Sequence, residues 1–187
     1  MAKKTLKGLH KNPAELASQR LVAALNQQVG NEMHASLQYV SIAAHFDSEN
    51  LPQLASFFYR QATEERDHAL KFVKFIVDVG GRVAIPAVGA PRADFASASE
   101  AVRLSLDWER TVTDQIYALV DIAKEERNYI AQRFLDWFVD EQLEEITLMD
   151  QLLALLERAA DNLILVEDYL SRNALVTEEP GGSEAEK

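Results

Sequence analysis

Residues 63–72, TEERDHALKF, set two glutamates, an aspartate and a histidine into a segment that otherwise repeats with the period of an amphipathic helix. At about 100° per residue, Leu54, Phe58, Phe72 and Ile76 all fall within about 20° of Glu65. Glu65 therefore stands at the centre of an apolar stripe, with His68 on its flank. The pattern recurs in three other segments. Leu21, Leu25, Tyr39 and Ala43 surround Glu32, while Val102, Ile116 and Val120 surround Glu109. Gln142 lies among Ala131, Leu135, Met149 and Leu153, with Glu145 nearly one turn on.

Taken singly, a glutamate on an apolar stripe is usually a carboxylate reaching for the edge, and a lone histidine is usually a satisfied core residue. Four coincident cases need a common cause. An uncompensated buried carboxylate costs several kcal/mol even after relaxation, and no lysine or arginine lies on the same faces in the flanking turns. A bound cation resolves the conflict. Carboxylates with one imidazole suit iron or manganese, and Glu65-x-x-His68 places two ligands on one helix face about a turn apart. Two ions bridged by shared carboxylates are the expected arrangement.

The composition narrows the alternatives. The chain has 187 residues, enough for one domain with a sizeable core. It has no cysteine, so disulfides, zinc ribbons, iron–sulfur clusters and thiol nucleophiles are excluded. A formal net charge of −11 disfavours nonspecific nucleic-acid binding and favours cations as partners. Residues 1–12 are basic without the apolar centre of a signal peptide, and no run of about 18 apolar residues follows that could cross a bilayer. The expected location is the cytoplasm, with no membrane and no nucleic-acid partner.

The elements that must position these residues follow from the same periodicity. Helices are expected at about 14–47, 51–79, 98–124 and 128–158, with a short fifth at about 161–172 capped by Asp161. No strand pattern is present. The domain is expected to span 14–172, between a flexible basic N-terminus (1–13) and a disordered acidic tail (173–187). Short turns at DSENLP (47–52) and KEERN (124–128) imply two antiparallel hairpins. Residues 80–97, with prolines and glycines, are long enough when extended at about 3.3 Å per residue to travel the length of a helix, which predicts a crossover.

Register supports the site. Glu32 and Glu65 are 33 residues apart about the first turn, and Glu109 and Gln142 are 33 apart about the second, so each pair faces across its own hairpin. An offset of 77 carries Glu32, Glu64, Glu65 and His68 onto Glu109, Glu141, Gln142 and Glu145. The chain thus reads as two helix pairs with one polar layout, each supplying half of a pseudo-twofold site.

With this helix plan, the crossover and the run Glu32, EERDH (64–68), Glu109 and WFVDEQLEE (137–145), the chain over roughly residues 15–172 resembles the non-haem bacterial ferritins. The resemblance implies an all-α, ferritin-like four-helix bundle with a long crossover between the second and third helices and a short fifth helix. It implies an iron-storage ferritin, a shell of twenty-four subunits that oxidises Fe(II) with O2 or H2O2 and deposits ferric mineral inside. Carried over residue by residue, Glu32, Glu65 and His68 hold the first iron of a di-iron ferroxidase centre. Glu65 bridges to a second iron held by Glu109 and Glu145, with Gln142 near the oxidant and Tyr39 beside the centre. Glu64, Glu141 and Glu144 match a third, weaker iron site toward the cavity.

The chain also resembles the haem-binding bacterioferritins, but Arg66 stands where that resemblance requires a methionine, so haem is not expected. Asp121, Glu125 and Glu126 are candidates for lining an entry pore. Two other readings are open: a rubrerythrin-like di-iron peroxidase, which normally needs an attached electron donor that this chain lacks, and a non-catalytic structural helical shell.

Overall fold

The computed structural model describes residues 16–160, 162–173 and 175. The expected flexible N-terminus, the Asp161 cap and nearly all of the expected acidic tail lie outside the described residues. Five helices follow in order: α1 (Gln19–Ser48), α2 (Pro52–Asp78), α3 (Ala98–Glu125), α4 (Tyr129–Ala159) and α5 (Leu163–Arg172). Among the described residues there is no strand, and no helix is long and apolar enough to cross a membrane.

The first helix starts later than the expected residue 14. Ser18 is its N-cap, with Oγ accepting from Leu21 N at 3.0 Å, and Leu16 N instead donates to Val79 O at 2.9 Å. Apolar periodicity runs past this point, but the serine side chain satisfies an amide that a longer helix would have bonded internally. Asn162 is the N-cap of α5, and its side chain makes no capping bond.

Both hairpin turns use one device. Asn50 and Arg127 take the left-handed conformation at φ 59° and 51°, and the next residue bonds back into the helix it leaves. Leu51 N donates to Phe46 O at 3.0 Å, and Asn128 N to Ala123 O at 2.8 Å. These residues are related by the same offset of 77 as the polar intruders, so the internal repeat includes the turns that set its register. α1 runs antiparallel to α2 and α3, and α4 antiparallel to α3 and α2: Arg20 meets Glu125 while Asn31 meets Gln115, and His68 meets Glu141 while Phe75 meets Phe134.

The interior is layered along the bundle axis. One apolar cluster gathers Phe46, Phe58, Ile42, Val102, Met149 and the α5 residues Val166 and Leu170. The other gathers Leu25, Phe72, Phe75, Ile116, Leu135 and Phe138, with Phe72 stacked on Phe138 at 4.1 Å. Between them lies the polar layer. α5 is fastened by Glu167, whose carboxylate accepts from Gln53 N at 2.8 Å and Leu54 N at 3.0 Å. It thereby caps α2, whose own N-cap Leu51 has no side chain able to do so.

The crossover lies along α1 and has no secondary structure of its own, so its backbone groups take side-chain partners. Asn26 donates to Arg82 O at 3.0 Å and accepts from Ala84 N at 2.6 Å. Gln38 donates to Arg92 O at 2.9 Å and accepts from Arg92 N at 2.8 Å. Between these amide clamps Pro86 packs onto Gly30, where a Cβ would sit 2.3 Å from Pro86 Cγ.

Gly30→Ala sets a helix-propensity gain of about 1 kcal/mol against an overlap with a rigid ring costing about 1–3 kcal/mol. The overlap is expected to win. The variant melts below wild type, and hydrogen exchange quickens at Ala84 and Arg92 as the crossover lifts. Unchanged protection at both amides would show that the glycine is not what seats the crossover.

Candidate metal centre

Glu32 and Tyr39 come from α1, Glu65 and His68 from α2, Glu109 from α3, and Gln142 and Glu145 from α4. The four glutamates are only 1–2% exposed. His68, Gln142 and Tyr39 are buried beside them. Every residue expected at the centre therefore faces the same interior layer, because each stands at the middle of its helix's apolar stripe or, for His68 and Glu145, on the stripe's flank.

Within the layer, Glu32, Glu65 and His68 each offer a ligand atom within 4.8 Å of the others, and among the described residues they form the one such cluster. Glu109 and Glu145 lie outside that compact trio yet crowd it electrostatically. Burial raises both pKa values, and repulsion between them adds to the rise at Glu145. Tyr39 Oη donates to Glu109 Oε1. Gln142 Nε2 donates to Glu109 Oε2 at 3.3 Å, to Glu109 O at 3.1 Å and to Thr113 Oγ1 at 3.2 Å. Gln28 Nε2 donates to Glu32 Oε1 at 2.9 Å. Glu32 Oε2 and Glu145 Oε2 are buried with no hydrogen-bond partner among the described residues.

The electrostatics are those of crowded like charge. Burial first, and neighbouring carboxylates second, hold Glu65 and Glu145 well above the ordinary glutamate range. Glu32 is raised by burial despite help from His68 and Gln28, and Glu109 is raised to about 7. Tyr39 is pushed well up by burial and by Glu109. Burial works against the His68 cation, but the Glu141, Glu65 and Glu32 carboxylates outweigh it and raise its pKa well above the usual value. Among the described residues His68 is the only basic side chain paired with these acids. Two unpartnered carboxylate oxygens in such a pocket fit a divalent cation, which would supply the missing positive charge.

The residues expected at a third site have a more varied setting. Glu141 Oε1 lies 3.3 Å from His68 Nε2, while His68 Nδ1 faces Glu65 Oε2 at 3.5 Å. Glu141 thus stands where an outer partner would fix a metal-ligating histidine. Glu64, bonded to Gln61, and Glu144 are half-buried and both feel the Glu141 charge, which places the three acids in one neighbourhood on the α2–α4 face. Of the pore candidates, Glu125 pairs with Arg20 at 2.7 Å and Glu126 accepts from Ser18 Oγ at 2.6 Å. Both are engaged in fastening the start of α1. Arg66 is exposed, 3.7 Å from Asp67. Gln28 and Thr113 were not expected at the centre. Each lies four residues from a buried glutamate on the same helix, so the stripe arithmetic contains both once amides and hydroxyls are counted as well as acids.

Four long helices around a buried carboxylate–histidine layer define a four-helix bundle of the metal-binding kind. The Ferritin-like domain model matches residues 22–159. The chain is 44% identical over 161 residues to Ferritin BfrB of Mycobacterium tuberculosis, covering 86% of this chain and 89% of that protein. It is 38% identical over 147 residues to the Bacterial non-heme ferritin of Staphylococcus aureus, covering 79% and 89%. Among solved structures, an open-pore ferritin from the hyperthermophilic archaeon Archaeoglobus fulgidus superposes with a TM-score of 0.82 at 31% identity, covering 85% of this chain and 99% of that one. The chain belongs to the ferritin family. Iron storage is the function that this membership carries.

The raised carboxyl groups make the metal-free fold sensitive to pH. Because folding lifts Glu109 from 4.5 to about 7, the folded chain keeps a proton that the unfolded chain releases. That stabilising share is complete below about pH 4.5 and is lost as pH rises through about 7. Other carboxylates impose the usual acid limit at lower pH. Glu65→Leu removes one of the crowded charges at nearly constant volume. In chelator, it is expected to melt at or above wild type at neutral pH, and Zn(II) is expected to reverse the order by stabilising only wild type. Thermal scans at matched subunit concentration decide this. A variant far less stable than wild type in chelator, with both indifferent to Zn(II), would make Glu65 a structural residue.

Proposed function

We propose that this ferritin is a ferroxidase, with Fe(II) as substrate and with Glu32, Glu65, His68, Glu109 and Glu145 as the ligands of a di-iron centre. The observation that carries the reading is the buried Glu32–Glu65–His68 cluster beside two further buried carboxylates, with unpartnered oxygens on Glu32 and Glu145. Anionic oxygen ligands stabilise Fe(III) more than Fe(II), so this donor set favours oxidation. Two Fe(II) ions supply two electrons, which with two protons reduce O2 to H2O2, or H2O2 to two waters.

The residues divide the work. Glu32 and His68 bind the first ion, Glu109 and Glu145 the second, and Glu65 is shared between them. Carboxyl groups whose pKa values are raised by burial give up their protons as Fe(II) enters. Tyr39 and Gln142 each hold one oxygen of Glu109 and so fix its orientation. Glu141 orients His68. With Glu64 and Glu144 it also forms the third, weaker iron position, from which Fe(III) moves toward the mineral. Twenty-four subunits in the cytoplasm form the storage shell, and the acidic chain draws in Fe(II) by its field.

Crystals soaked in Fe(II) are expected to give two anomalous peaks about 3.5–4 Å apart between these side chains. A single peak, or peaks elsewhere, would sink the assignment. Iron content per particle separates the rival readings: thousands of irons in a large shell mean storage, about two per subunit a di-iron peroxidase, and none a structural shell. Glu144→Ala should slow later turnovers while leaving the first fast oxidation nearly intact. Loss of that first phase would place Glu144 in the di-iron centre itself.

A further inference from the structure

A row of amides joins Glu32 to the α1–α3 surface. Gln28, only 2% exposed, lies one turn before Glu32, and its Nε2 donates to Glu32 Oε1 at 2.9 Å. Gln28 Oε1 accepts from Asn31 Nδ2 at 3.2 Å. The other proton of that Asn31 amide crosses to α3, to Gln115 Oε1 at 2.8 Å. Asn31 Oδ1 accepts from exposed Gln27 Nε2 at 3.2 Å. Each amide fixes the direction of the next. Because Asn31 presents an N–H to Gln28, Gln28 must answer with its carbonyl, and its own NH2 is turned toward Glu32. The reverse orientation would set a carbonyl oxygen against a carboxylate.

We propose that Gln28 and Asn31 are positioning residues for the first cation: their amide row engages Glu32 Oε1 and leaves Oε2 as the single Glu32 oxygen open to the ion. The proposal rests on the reading of Glu32 as a ligand. Glu32 Oε2 is buried without a partner although Oε1 has one, so the two oxygens of this carboxylate are already unequal. Glu109, its counterpart on α3, instead has both oxygens engaged, by Tyr39 and by Gln142. The offset of 77 carries Gln28 onto Ser105, whose Oγ bonds Ala101 O, so the other half of the repeat has no such row. The device belongs to the first-ion side alone.

The test is titration of the metal-free assembled protein with Co(II), read by its visible absorption. Outer partners that orient a ligand change metal affinity by about 10–100-fold when removed. Gln28→Leu is expected to weaken the first Co(II) by that factor and to alter its spectrum. Asn31→Asp puts an acceptor where Gln28 now meets a donor. Gln28 then turns its NH2 outward and its carbonyl toward Glu32, and the same weakening follows. Should Gln28→Leu fail to fold, Asn31→Asp still decides, since Asn31 is half-buried and hydrogen-bonds to none of the proposed ligands. Glu32→Ala is the reference. If it loses the first Co(II) while Asn31→Asp keeps wild-type affinity and spectrum, the amide row is merely structural and the proposal is overturned. If Glu32→Ala itself binds as wild type, the ligand reading of Glu32 has failed and the proposal falls with it.

Discussion

Four carboxylates and one imidazole lie within about one turn of a single level of a helical interior in which, among the described residues, none of the acids is paired with lysine or arginine, and the rest of the structure answers to that crowding. Like charges this deeply buried raise one another's pKa values and favour any arrangement that brings them to water. The apolar clusters above and below the layer oppose that escape. Tyr39 and Phe72, both fully buried, close the level from the two sides, Tyr39 in edge contact with Phe58 and Phe72 stacked on Phe138. Hydrophobic burial, non-directional and spread over both ends of the bundle, holds together what electrostatics would separate.

Much of this was legible in the sequence, for a physical reason. Long helices leave two free variables, the face and the level, and a fixed angular step with short turns determines both. Glu65 at mid-stripe could face only inward, and the spacing of 33 residues about each turn could only bring Glu32 to Glu65 and Glu109 to Gln142. What stayed hidden depends on side chains meeting across the chain without a period. That Glu167 caps α2 follows from where α5 docks, which no local pattern states. The α1 boundary at Ser18 and the seating of the crossover on Asn26, Gly30 and Gln38 are of the same kind. Glu141 was legible as an acid near the centre, yet its place at His68 Nε2 needed the α2–α4 register to within one residue.

The repeat by 77 is obeyed by the turns and broken in the chemistry. Asn50 and Arg127 keep one conformation and one bonding pattern although their side chains share nothing, because the hairpin register depends on the backbone there. In the polar layer the same offset exchanges Glu65 for Gln142, His68 for Glu145 and Tyr39 for Ile116. The two halves therefore offer different donors at matching heights. A symmetric pocket would present the same donors from both sides. This one sets an imidazole and a half-engaged carboxylate on one side against a fully hydrogen-bonded carboxylate on the other. The shared scaffold fixes where the groups stand, and the broken symmetry makes the two halves of the layer chemically distinct.

Glu167 shows that the fold can satisfy a carboxylate when nothing else requires it. Its two oxygens receive two backbone N–H groups at a helix N-terminus, where the local field also favours negative charge. Equivalent donors are not brought to Glu32 Oε2 or Glu145 Oε2, although amides and hydroxyls stand nearby and are spent on Glu32 Oε1 and on both oxygens of Glu109. Burying an acceptor without a donor costs about 1–3 kcal/mol or more, and a chain able to fasten α5 through Glu167 has the means to avoid that cost. Leaving these two fully buried oxygens without a donor among the described residues is intelligible if a cation fills the gap when the protein works. The unsatisfied atoms thus point to ligand binding more directly than the acidic residues themselves, since acids are common and buried oxygens without partners are not.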